Sequence, residues 1–295
     1  MDPLKILHEP EAKLDCLIIA FGGWADAGES ATTAIKFIQR QLGAKKFAEI
    51  DPEEFYDFSQ TRPYTSRTKD GRRRLQWPAN EFFYWIEPNS GKGAMTFLGI
   101  EPNLRWRSYS KTIVELAQKH GVKRLIHIGA LLDAVPHTRD VKLTGTSTNE
   151  ELQRTLEASG IHGSNYQGPT GISSSVMEAS VNQGIDYLSL WGHTSHYLQA
   201  APNYRIGYTL AKQLASLLDL PLDLDELETA ATTFDEEVAK AVARDDQLSS
   251  YVQKLESQYD ESIPVAEMPD PAEMVRDLEQ FLRSKQRRRP GEDQS

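Results

Sequence analysis

The sequence predicts an α/β fold of three layers, α/β/α, with a mostly parallel sheet and a C-terminal helical extension. Two observations predict it. Short apolar runs bounded by glycine or proline alternate with segments whose apolar residues recur every three or four positions, as buried strands alternate with amphipathic helices. Past Pro221 the strand-like runs stop, and a helical pattern continues alone while the charge turns acidic.

The elements follow in order. Leu17 to Phe21 is an apolar strand ended by Gly22-Gly23-Trp24. The apolar pattern through Ile35 and Ile38 marks a helix, with Asp26 where an N-cap would sit and Gly43 closing it. Lys46 to Ile50 is the next strand, completing a βαβ unit for which a right-handed crossover is expected. Residues 51–93 interrupt the rhythm with Pro52, Pro63, Pro78, Pro88, many aromatics and the run Arg72-Arg73-Arg74. Irregular structure with short strands is expected there, Phe82 to Ile86 the clearest.

The alternation then resumes with a strand over Ala94 to Gly99, a helix over Leu104 to His120 and a strand over Arg124 to Leu132. Ser147 to Ser159 is a helix opened by Ser147 with Glu150 at capping-box spacing. Ser173 to Gln183 is a helix, Tyr187 to Trp191 a strand and Pro202 to Leu218 a helix. The chain thus divides into an α/β/α core over 1–222, an acidic helical extension over 223–286 and a tail over 287–295 expected to be disordered.

In the extension, Leu224, Leu227, Ala231, Phe234, Val238 and Ala241, then Leu248, Val252, Leu255 and Tyr259, alternate spacings of three and four, with Asp245 in the one slot that fails. This spacing lays a narrow seam along one long helix. The seam packs either on the body of the chain or on another subunit, so Leu224, Leu227, Phe234, Val238, Leu248, Val252 and Leu255 are candidates for an oligomer seam. A linker with Pro264, Pro269 and Pro271 precedes a last helix carrying Met274, Leu278 and Phe281.

Charge narrows the partners. Of the net charge of -10, residues 1–222 contribute zero (24 acids, 24 bases) and residues 223–295 all of it (19 acids, 9 bases). Phosphate binding needs a basic face, so nucleic acid is not expected as a main partner. No apolar stretch approaches the roughly 20 residues of a membrane span, and the first residues lack the basic and apolar blocks of a signal peptide. One cysteine, Cys16, excludes an internal disulfide and reads as a buried thiol. A cytoplasmic protein is expected.

Several strings, taken as a set, are similar to the bacterial branch of the proteasome-assembly-chaperone-2 family. They are GGWADAGESA after the first strand, then YDFSQTRP, RLQWP, LGIEPNLRWRSY, HIGALLDAVPHTRDVKLTGTS, YQGPTGI and WGHTSHYLQAAPN, with YVQKLESQYD and RDLEQFLR late in the chain. The resemblance runs from about residue 15 to about residue 284. It implies a three-layer α/β/α fold related in shape to phosphorylase/hydrolase-like domains, and homo-oligomers; archaeal and eukaryotic relatives chaperone proteasome assembly. Members that dock on the proteasome end in a hydrophobic residue, tyrosine and any residue. This sequence ends Asp293-Gln294-Ser295, so docking by an inserted C-terminus is not expected.

Ligands of open parallel sheets bind beyond the carboxyl ends of the strands. The loops expected there, 22–28, 99–107, 130–147 and 191–203, carry Trp24, Asp26, Glu101, Asn103, Arg105, Asp133, His137, Arg139, Thr144, Thr146, His193 and His196. This polar set suits a small molecule or an anion. Each member also has a structural account: Asp26, Asn103 and Ser147 as helix caps, Glu101 with Arg105 as an ion pair, Trp24 as core. The helix N-termini after Gly23 and Gly171 offer free N–H groups to an anion. His193-x-x-His196 lacks the further cluster that zinc requires, and no phosphate-cradling glycine loop with lysine occurs, so no metal and no cofactor are expected. Ser173-Ser174-Ser175 lacks the glycines of a nucleophile elbow and reads as a turn with an N-cap. Two functions follow. One is a homo-oligomeric binding or assembly-chaperone-like protein, whose partners are itself and another protein complex. The other is a hydrolase- or phosphorylase-like enzyme acting on a small polar metabolite.

Overall fold

The computed structural model describes residues 3–198 and 202–261. In chain order the elements are β1 (Leu4–Ile6), β2 (Cys16–Gly22), α1 (Ser30–Gln41), β3 (Lys45–Ile50), β4 (Tyr64–Arg67), β5 (Arg73–Gln76), β6 (Glu81–Ile86), β7 (Gly93–Ile100), α2 (Trp106–Lys119), β8 (Arg124–Asp133), β9 (Leu143–Ser147), α3 (Glu150–Ala158), α4 (Ile172–Asn182), β10 (Asp186–Ser195), α5 (Tyr204–Leu218), α6 (Asp225–Val242) and α7 (Asp246–Asp260).

Eight strands form one sheet in the order β1-β3-β6-β7-β2-β8-β10-β9. Its centre, β7-β2-β8-β10, is parallel throughout. The other neighbours pair antiparallel, so β3 runs with the centre while β1, β6 and β9 reverse. The βαβ unit expected from residues 17–50 is therefore opened: β6 and β7 lie between β2 and β3. The interrupting stretch 51–93 supplies β6, and also β4 and β5, which pair only with each other.

Strand side chains alternate faces. Ile18, Ala20, Ile126, Ile128, Leu188 and Leu190 face a layer of α1, α5 and α6. Leu17, Ile19, Phe21, Phe97 and Leu125 face α2 and α4. Both faces are covered, which is why the central strands read as unbroken apolar runs. In α1 the wholly buried Ile35 and Ile38 each contribute about 1.5–3 kcal/mol by burial. Gly43, at φ 61°, ends that helix in the left-handed region that glycine adopts freely. Cys16 is buried beside Ala94 on β7, and burial pushes its thiol up to about 12, as an inert thiol requires.

Several boundaries differ from expectation. Ser147 does not cap a helix but ends β9; Asn149 is the cap, its side chain accepting from the N–H groups of Glu151 and Leu152. The expected single helix over 224–259 is two. α6 ends at Val242, and Asp245, the residue that fails the seam, caps α7 by accepting from Gln247 N (2.9 Å) and Leu248 N (3.0 Å). A short carboxylate favours that position over a helix interior, because it satisfies the free N–H groups of a new first turn. Across the break the seam faces the body of the same chain. Leu227, Ala231, Val252 and Leu255 are buried, and Leu224, Phe234, Val238, Leu248 and Tyr259 are half-buried, but Ala241 is exposed and its neighbour Val242 is buried instead. The last helix, its proline linker and the tail lie outside the described residues.

Candidate functional site

The carboxyl ends of β2, β7, β8 and β10 lie along one edge of the sheet, and the expected site residues divide there into three groups. The first surrounds the N-termini of α1 and α4. Asp26 is buried and pairs with Ala130 beyond β2. Its carboxylate accepts from Ala31 N (2.7 Å), Thr32 N (3.2 Å) and Thr32 Oγ1 (2.6 Å), capping α1 from several residues upstream. Burial raises its pKa, against the lowering effect of those hydrogen bonds. Glu101 Oε1 accepts from Ile172 N at 2.8 Å, at the first turn of α4. Both helix N-termini that the sequence offered to an external anion thus hold the chain's own carboxylates. Trp24 is not core: it is 64% exposed, standing beside Gly171 and Glu101.

The second group is structural. Asn103 does not cap α2; its Oδ1 accepts from Asp57 N (3.1 Å) and Thr61 Oγ1 (3.0 Å). Arg105 does not meet Glu101. It pairs with Glu54, and its positive φ of 54° turns the chain into α2. These contacts tie the 51–61 segment to the loop before α2.

The third group lies at the ends of β8 and β10 and is the chemically richest. The segment 130–147 is not all loop: β9 pairs antiparallel with β10, placing Thr144 opposite Trp191 and Thr146 opposite Ser189. Thr146 Oγ1 lies 3.1 Å from Ser189 Oγ. Thr144 Oγ1 lies 2.9 Å from His193 Nε2, and His193 Nδ1 lies 2.7 Å from Asp133 Oδ2, which Lys142 Nζ also approaches at 3.2 Å. Burial would raise the Asp133 carboxyl, but the His193 hydrogen bond and the Lys142 charge overcome it and hold it well below the usual carboxylate range. With Asp133 ionised, Nδ1 carries a hydrogen toward it, and in the neutral ring Nε2 accepts from the Thr144 hydroxyl. This is the geometry of a hydroxyl, a base and the group that orients the base. A cavity of about 30 Å³, lined by His137, Lys142, His193, Phe234 and Asp235, adjoins it, room for about one water.

Around this relay α7 is fastened to the edge. His196 Nδ1 approaches Asp133 O at 3.1 Å, and its Nε2 lies 3.0 Å from the Tyr251 hydroxyl. His137 Nδ1 lies 2.6 Å from the Tyr197 hydroxyl, and burial lowers the His137 pKa. Arg139 makes a two-pronged pair with Asp260 (2.8 and 2.6 Å) and also reaches Glu256 at 3.3 Å. Tyr197 and Tyr251 were not singled out from sequence. Tyr197 adjoins His196 in HTSHY, whereas Tyr251, on a distant helix, carries no local sign of its role. Among the described residues no group of three His, Cys, Asp or Glu side chains is placed to hold a metal ion, and no helix is long and apolar enough to cross a membrane. The triple serine is not a turn with an N-cap: it lies inside α4, whose N-cap is Gly171, with Ser174 hydrogen-bonded to Thr170 and Ser175 Oγ 2.9 Å from Ser110 Oγ.

The molecule is thus an α/β/α domain in which the chain's own carboxylates fill the N-termini of α1 and α4, with an acidic helical arm fastened to the same edge of the sheet. The chain belongs to the PAC2 family, whose family model matches residues 20–242. It is similar to the crystal structure of a proteasome-assembly chaperone homologue of Mycobacterium tuberculosis, with 31% identity and a TM-score of 0.72, covering 80% of this chain and 99% of that one. It is equally similar to a PAC2 family protein from Streptomyces avermitilis, at 32% identity and a TM-score of 0.72 over 81% of this chain and 99% of that one. An archaeal proteasome activator of Pyrococcus furiosus shares the fold, at 17% identity and a TM-score of 0.65 over 82% of this chain and 99% of that one. No curated protein matches the sequence.

Proposed function

We propose that this chain is a homo-oligomeric, assembly-chaperone-like protein that acts in the cytoplasm by binding itself and another protein complex. The observation that carries this reading is the family match, together with 31% identity to a proteasome-assembly chaperone homologue over nearly all of that chain. The site geometry agrees with it. The edge where an enzyme of this architecture would bind phosphate or nucleotide has its anion-binding N–H groups already occupied by Asp26 and Glu101. Multi-angle light scattering at micromolar concentration tests the self-association, and affinity capture from the native host with quantitative mass spectrometry tests the client. A strict monomer that captures no multi-subunit complex refutes the proposal.

One observation favours the second reading, a hydrolase-like enzyme: the Thr144–His193–Asp133 relay has the order and spacing of an activated hydroxyl. On this reading a fluorophosphonate or an activated ester labels Thr144, and Thr144→Ala and His193→Ala each abolish labelling. Labelling that is absent, or that persists in both variants, removes it.

A further inference from the structure

β4 and β5 form a two-stranded hairpin that, among the described residues, pairs with no other strand, and seven of its eight residues are exposed. An isolated two-stranded hairpin is marginally stable in water. This one also carries features that make it worse as a free arm. Tyr64 is 78% exposed, Leu75 50% and Trp77, just past β5, 48%. Residues 62–74 hold six bases (Arg62, Arg67, Lys69, Arg72, Arg73, Arg74) against one acid, Asp70. In the ladder Arg67 lies directly opposite Arg73. Directly opposed residues share a face and stand about 5 Å apart at Cβ, where like charges repel. Asp70 is engaged with Arg72, and among the described residues neither Arg67 nor Arg73 makes an ion pair. A pair of facing guanidinium groups, with Leu75 on the same face of the hairpin, is a surface that gains by meeting carboxylates.

The chain itself carries the complementary surface. Residues 223–261 hold twelve acids and three bases. Some of these acids are engaged, Glu226 with Arg40, Asp235 with Arg205 and, loosely on the helix surface at 3.6 Å, Glu236 with Lys240. Asp225 and Glu236 are exposed, stand about three helical turns apart on one face of α6 and have Glu237 beside them. We infer that the β4–β5 hairpin of one copy docks on this acidic face of α6 in a second copy. The inference rests on the homo-oligomeric reading above and names its contact. The contact joins two different patches, so it is head-to-tail, and each copy both offers a hairpin and receives one; such contacts close into rings or extend into filaments.

The test uses the full chain and two surface variants, both checked for native circular dichroism. One is Arg67→Glu with Arg73→Glu; the other is Asp225→Lys with Glu236→Lys and Glu237→Lys. Wild type assembles in light scattering, and its assembly weakens with added salt. Each variant alone places like charges across the contact and weakens self-association by at least about 100-fold. An equimolar mixture restores assembly, because the native hairpin of the second fits the native α6 of the first, and the two reversed patches also match. An oligomeric wild type whose variants assemble unchanged overturns the hairpin contact and leaves the proposed function standing. A monomeric wild type overturns both. Salt-dependent binding of duplex or single-stranded DNA by wild type, lost in the Arg67→Glu/Arg73→Glu variant while assembly persists, makes the hairpin a nucleic-acid arm and overturns the inference.

Discussion

His127 on β8 is wholly buried between Phe21 and Trp191, and among the described residues neither ring nitrogen has a hydrogen-bond partner. Burial pushes its pKa from 6.5 down to about 3, so the folded protein holds it neutral at any mild pH. In the unfolded chain it titrates normally. The folded pKa is depressed, so the full stability is present above pH 6.5 and is lost as pH falls toward 3. Each pH unit in that window costs about 1.4 kcal/mol, which makes about 2 kcal/mol at pH 5. His127→Leu removes the titration while keeping a buried side chain of similar volume. Urea denaturation of wild type and variant at pH 7.5 and pH 5.0 measures the difference. Wild type should lose about 2 kcal/mol more than the variant between the two conditions. At pH 7.5 the variant should match or exceed wild type, because unpartnered buried polar atoms are removed. His120 and His137 are depressed by burial too, so wild type and variant share their contribution and it cancels. Parallel pH dependences would refute a neutral, desolvated His127.

Asp26→Ala removes three hydrogen bonds at the start of α1 and should cost about 2–4 kcal/mol in urea denaturation, with Asp26→Asn losing clearly less. Gly129→Ala places a methyl group 2.5 Å from the Trp191 ring; thermal denaturation should show a loss of about 1–3 kcal/mol. Leu255→Ala, at a buried seam position on α7, should cost about 2–5 kcal/mol. It should also speed trypsin cleavage at Arg244, in the exposed break between α6 and α7, and an unchanged cleavage rate would argue that α7 is held by its polar contacts alone.

The central strands and their helices were legible because burial on both faces leaves an unmistakable apolar signature, as in Leu17 to Phe21. The antiparallel strands were harder. β9 (LTGTS) is an edge strand of small polar residues, and nothing in its composition separates it from a loop. The seam spacing found the buried face of the extension, but not the break within it. Asp245 showed as a failed slot, and whether such a residue kinks a helix or caps a new one depends on the body beneath it. In the site, the polar residues were found as a list and their pairings were not. Glu101 and Arg105 are neighbours in sequence, yet one serves α4 and the other Glu54. Lys142, Tyr197 and Tyr251 joined the third group only through tertiary contact, and a one-dimensional pattern does not encode which loop lies opposite which.

The two ends of the sheet are both finished off. At one margin stands β1, three residues long. At the other, β9 has its outward side met by the chain after α3, where Gly145 N donates to His162 O. Short or covered margins leave little unpaired backbone for a neighbouring molecule to extend. The eight-stranded sheet of one copy therefore cannot readily be extended by a strand of another, and an assembly across these margins has to be built from side chains, whose charge and shape can refuse a wrong partner.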